Sequence, residues 1–65
     1  MPPKIRELIA ELERNGFSNR GGKGSHRNYR HPIGLSITIS GKLGADAQKY
    51  QEKLVKDYIN KVKDR

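Results

Sequence analysis

Ile5, Leu8, Ile9 and Leu12 stand at i, i+3, i+4 and i+7 near the start of the chain, the spacing of one apolar helix face. A helix is predicted over residues 3–15. Pro2 and Pro3 suit its first turn, where backbone donors have no helical partner, and Asn15-Gly16 supplies a left-handed stop. Phe17, just past the glycine, is placed to fold back onto the helix. From there the period falls to two, with breaks at Gly21-Gly22 and Pro32-Ile33-Gly34. Three short strands are expected, over 17–20, 25–31 and 35–40.

In the third strand Leu35, Ile37 and Ile39 alternate with Ser36, Thr38 and Ser40, the pattern of an antiparallel strand with one buried face. The second strand has one large apolar residue, Tyr29. Turning Tyr29 inward takes Arg27 and His31 with it and leaves His26, Asn28 and Arg30 on the open face. After Ser40-Gly41-Lys42-Leu43-Gly44, Asp46 is expected to cap a second helix over 46–62. Its apolar stripe would be Ala47, Tyr50, Leu54, Val55, Tyr58, Ile59 and Val62. Both helical stripes need the same sheet face. The expected fold is therefore a two-layer α+β domain of order α-β-β-β-α, a three-stranded antiparallel sheet with both helices on one face and the other face bare.

Composition narrows this picture. With 65 residues the chain has room for one domain, 1–65, with a small core, and with no cysteine its stability rests on packing. No apolar run is long enough for a membrane span, and Met-Pro-Pro-Lys leads into an amphipathic pattern rather than an apolar signal core, so a cytoplasmic protein without a membrane partner is expected. Fourteen Lys and Arg against seven Asp and Glu give a net charge of +7, which makes a polyanion, nucleic acid above all, the leading partner class.

Candidate chemistry concentrates in Lys23-Gly24-Ser25-His26-Arg27-Asn28-Tyr29-Arg30-His31, which holds both histidines. A nucleotide P-loop is not expected here, since it needs lysine and a hydroxyl residue adjacent after the last glycine and a helix next, whereas the order is Gly-Lys-Gly-Ser and a strand follows. The glycines read as a hairpin turn, with Arg20 and Lys23 as exposed cations beside it. A metal site is not expected. His26 and His31 fall on opposite faces, and no cysteine or nearby carboxylate completes a ligand set. His31, before Pro32, reads as a turn-flanking structural residue. His26, on the open face among Asn28, Arg30, Ser36 and Thr38, is the candidate for proton transfer.

Helix, Asn15-Gly16-Phe17, basic hairpin, Lys23-Gly24-Ser25-His26, the Arg30-His31-Pro32 turn with glycine two residues on, and a β-branched strand together resemble the HicA family of toxins. The resemblance covers residues 4–40. It implies a fold like that of double-stranded-RNA-binding domains, messenger-RNA interferase activity dependent on the histidine of Gly-Ser-His, here His26, and neutralisation by a HicB antitoxin. Beyond Ser40 the chain departs from the pattern: many members carry a further proline and histidine after the third strand and a shorter closing helix.

RNA carries its own nucleophile in the 2′-hydroxyl, so a cleaving protein need supply only proton transfer and cations. An imidazole, with an ordinary pKa of about 6.5, can take or give the proton near neutrality without a cofactor. The expected RNA contacts are Arg20, Lys23, Ser25, Arg27, Asn28 and Arg30, with cations stabilising the reacting phosphate or tracking the backbone. Arg27 is the weakest of these because it points inward. Tyr29 reads as core rather than as a base-stacking platform. Lys49, Lys53 and Lys56 read as a solvated face paired with Glu52 and Asp57. The resemblance, taken with these residues, thus implies an endoribonuclease toxin acting on mRNA and held by a HicB-like antitoxin. The rival is a non-catalytic module that grips double-stranded RNA by shape.

Overall fold

The structure is a computed structural model that describes residues 2–64. Its elements run α1 (Ile5–Arg14), β1 (Ser18–Asn19), β2 (Arg27–Arg30), β3 (Ser36–Ile39) and α2 (Lys49–Lys63), in the expected order. The sheet is antiparallel with β2 in the centre. Tyr29 lies opposite Ile37 and Arg27 opposite Ile39, while Asn28 faces Thr38 and Arg30 faces Ser36. Because side chains alternate across a strand, this register gathers Tyr29, Ile37 and Ile39 on one buried face and leaves Asn28, Arg30, Ser36 and Thr38 exposed. Both helices close the buried face: Ile5, Leu8, Ile9 and Leu12 of α1 and Val55 and Ile59 of α2 join the same core cluster.

The turn after α1 follows the sequence closely. The backbone N–H of Phe17 donates to the Leu12 carbonyl at 3.0 Å, Gly16 takes φ +95°, and the Phe17 ring is buried against Tyr58 and His31. Between β2 and β3 the Pro32-Ile33-Gly34 turn is closed by the His31 N–H on the Leu35 carbonyl and the Gly34 N–H on that of His31, both 2.9 Å.

The start of α2 corrects the sequence reading. Asp46 does not cap it; the residue is drawn away by Lys4, whose ammonium lies 2.6 Å from the Asp46 carboxylate and whose backbone forms an isolated bridge with it. The carbonyls of Leu43 and Ala45 accept from the N–H groups of Arg6 and Ile5, so this segment satisfies first-turn donors of α1. The helix begins three residues later. Gln48 is its N-cap, and its backbone N–H donates to the side-chain oxygen of Gln51 at 2.8 Å. Gln51 therefore takes the inward place in the first turn, 3% exposed, and Tyr50, expected in the apolar stripe, is 62% exposed. Ala47 is buried as expected, but ahead of the helix.

Candidate nucleic-acid interface

The second strand begins at Arg27, two residues later than predicted, because Lys23–His26 form a turn in which the His26 N–H donates to the Lys23 carbonyl at 3.0 Å. His26 is thus a turn residue at the head of β2, exposed to solvent. Three contacts fix its backbone. Besides the bond to Lys23, Gly22 lies so close that a Cβ there would sit 2.0 Å from the His26 carbonyl oxygen. On the other side, the Arg27 guanidinium donates to the carbonyls of Ser25 at 3.2 Å and Gly41 at 2.9 Å. Arg27 therefore points inward, as its alternation with Tyr29 requires, and acts on the turn through its backbone.

Lys23, Arg20 and Arg30 are exposed. Among the described residues the ion pairs are Lys4 with Asp46 and Arg14 with Glu11, so none of these three cations has a carboxylate within 4.0 Å. The sequence explains why: no Asp or Glu occurs between Glu13 and Asp46, a stretch that carries Arg14, Arg20, Lys23, Arg27, Arg30 and Lys42. That separation of charge was legible in the sequence, and counting the net charge alone misses it. It leaves the hairpin and the open sheet face with an uncompensated positive field.

Asn28 sits on that face with its side-chain oxygen accepting from the Thr38 hydroxyl at 2.8 Å, which leaves its amide N–H groups directed at solvent as donors. Ser25 is half-buried beside His26, its carbonyl held by Arg27. His31 has a different setting. Its ring lies edge-on to Phe17 with centroids 5.1 Å apart, and its Nδ1 accepts from the Ile33 N–H at 3.2 Å, so it supports the β2–β3 turn and the core. The two histidines are not brought together, and among the described residues no three His, Asp or Glu side chains gather where they could hold a metal ion. Ser18, Arg20, Arg30, His31 and Pro32 line a depression of about 310 Å³ at the other end of β2 from His26.

The bond network also reaches α2. The Ser40 carbonyl accepts from the side-chain amide of buried Gln51 at 2.9 Å, one residue before the Gly41 carbonyl that holds Arg27. The first turn of α2 thus supports the loop on which the His26 turn rests, a link across distant segments that no local pattern announces.

A sheet covered on one side by two helices, with a bare cationic face and one exposed histidine on a pinned turn, defines a small basic α+β protein suited to meeting a polyanion. The family model for the HicA toxin of bacterial toxin-antitoxin systems matches residues 5–59, from the first residue of α1 to Ile59 in α2. The chain belongs to the HicA toxin family and is the toxin partner of a toxin-antitoxin pair, which implies a cognate antitoxin. The match runs past Ser40, where the sequence resemblance thins, and takes in the core positions Val55 and Ile59. No curated protein matches this chain. No helix among the described residues is long and apolar enough to cross a membrane.

Proposed function

We propose that this toxin is an endoribonuclease that cleaves messenger RNA, with His26 as its general acid or base. The observation that carries the reading is the setting of His26: an exposed imidazole on a turn pinned from both sides, next to cations without carboxylate partners. The ribose 2′-hydroxyl of the bound strand attacks the adjacent phosphorus, the P–O5′ bond breaks, and the products are a 2′,3′-cyclic phosphate and a 5′-hydroxyl. The attacking hydroxyl loses a proton and the leaving oxygen gains one. His26 serves one of these transfers and water the other, for which one positioned group contributes about 10²- to 10⁴-fold. Lys23 supplies positive charge to the developing phosphorane, and the Ser25 hydroxyl and the Asn28 amide offer neutral donors to the strand. Arg27 holds the turn. This route uses protein groups and water, without a metal ion.

A free nuclease would destroy its host's transcripts, so the antitoxin has to cover this face. A HicB-like partner presenting carboxylates to Lys23 and Arg30 fits the uncompensated charge and would be drawn to it by long-range attraction. The test of function is induced expression in cells. The wild-type chain arrests growth and degrades messenger RNA, while His26→Ala, still folded, is harmless. Arrest by the alanine variant, with RNA bound but intact, would instead favour a non-catalytic RNA-binding module.

A further inference from the structure

The depression lined by Ser18, Arg20, Arg30, His31 and Pro32 has no part in the chemistry proposed for His26. Its walls are built by register. Ser18 of β1 lies directly opposite Arg30 of β2, and Arg20, two residues beyond Ser18, falls on the same side of the edge strand. The pairing continues past β1 through the Arg20 N–H on the Asn28 carbonyl at 2.7 Å, which fixes the backbone beneath Arg20. The third wall is rigid for another reason: the His31 ring is held by Phe17 and by the Ile33 N–H, and a Cβ at Gly16 would lie 2.8 Å from its Nε2.

Two arginines and a serine therefore line one concavity, and neither arginine has a carboxylate partner among the described residues. Like charges placed side by side repel, and an anion between them removes that cost while accepting from both planar forks. Arg30 closes β2 at the end away from His26, and the depression is lined by no residue of the Lys23–His26 turn, so an anion seated in it is distinct from one held at His26. We infer that this depression is a second phosphate subsite, which seats a phosphate of the same RNA strand away from the bond cut at His26. The inference rests on the proposed RNA reading and adds a length requirement to the substrate. The strand must run along β2 and extend past the scissile bond far enough to fill the subsite.

The test uses RNA oligonucleotides that share one cleavage site and grow by single nucleotides on either side, each made with a 5′-hydroxyl or a 5′-phosphate end. For the wild-type chain kcat/KM rises by about tenfold or more at the length that first supplies the subsite phosphate, the scale of one charge-assisted hydrogen bond. In the Arg20→Gln, Arg30→Gln double variant that step shrinks towards unity. A step seen only with a 5′-phosphate assigns a terminal phosphomonoester, and one indifferent to the end group assigns an internal phosphodiester; both support the subsite. An undiminished step in the variant overturns it, all the more if the variant has lost antitoxin binding, because the arginines would then belong to the protein partner. A second measurement does not depend on cleavage: the Nε–H signals of Arg20 and Arg30 are followed by NMR while the same oligonucleotides are titrated into His26→Ala. Signals that move only with RNA past the threshold length uphold the subsite even if the wild-type chain cleaves nothing. Signals that stay put at saturating RNA reject it even if cleavage is normal.

Discussion

The guanidinium of Arg27 donates to the carbonyl of Gly41 at 2.9 Å, across 14 residues of sequence, and to that of Ser25 at 3.2 Å. This one side chain joins the turn that carries His26 to the loop after β3. Replacing it by methionine keeps an apolar stem of similar length but leaves two partly buried carbonyls without their donor. A loss of about 1–3 kcal/mol is expected, read as a lower urea midpoint. RNA cleavage should fall beyond what unfolding explains, since small displacements of a catalytic group are costly. Arg27→Lys, which restores one donor, should recover part of both. Cleavage by Arg27→Met at the wild-type rate would mean that the turn holds its shape without this tie.

The contact between Gly16 and His31 sets a second expectation. At φ +95° any side chain is strained, and a Cβ would sit 2.8 Å from the His31 Nε2. Gly16→Ala should cost about 1–3 kcal/mol through backbone strain, and more if the imidazole is pushed off Phe17. Urea unfolding measures the cost, and altered aromatic proton shifts of Phe17 report the displacement. An unchanged midpoint would show that the α1–β1 turn relaxes freely.

Alkaline pH should weaken the fold through Tyr29. Burial, joined by the negative charge of Glu13, raises its phenol above the ordinary 10.0, against the opposing influence of Arg27 and a hydrogen bond with Asn19. Above pH 10 the unfolded chain has released a proton that the folded chain still holds, so stability falls as pH rises through the raised value. Below pH 10 the contribution is fully present. Urea midpoints measured from pH 8 to pH 11 should show this decline in the wild-type chain and a smaller one in Tyr29→Phe. Equal declines would place the alkaline sensitivity elsewhere.

Much of this architecture was legible in local patterns. The stripe from Ile5 to Leu12, the alternation from Leu35 to Ser40 and the glycine stop before Phe17 each involve neighbours in sequence, and each appears in the structure. What escaped the reading depends on distant partners. Asp46 has the chemistry of a helix cap, yet Lys4, 42 residues away, holds it. Tyr50 looks like a member of the apolar stripe, but a helix that starts at Lys49 gives the inward place to Gln51, whose amide serves the Ser40 carbonyl. Among the candidate site residues, alternation placed Asn28 and Arg30 outward and Arg27 inward correctly. It misplaced His26 in the strand, because the Lys23–His26 turn shortens β2. The depression between Arg20 and Arg30 depends on the pairing of Ser18 with Arg30, a register set by packing and not by either segment alone.

The central claim is that His26 moves a proton for the ribose 2′-hydroxyl. The most direct measurement is the cleavage rate of one RNA by purified wild-type and His26→Ala chains, with a second RNA bearing a single 2′-deoxyribose at the scissile position. His26 is exposed and its ordering bond is made by its backbone, so the alanine variant should keep its unfolding midpoint within about 0.5 kcal/mol. The account expects the variant to cleave about 10²- to 10⁴-fold more slowly, and the deoxy-substituted RNA to resist both proteins at that position. Cleavage of the unmodified RNA by the folded variant at the wild-type rate, or scission of the deoxy-substituted RNA at the same bond, would contradict it.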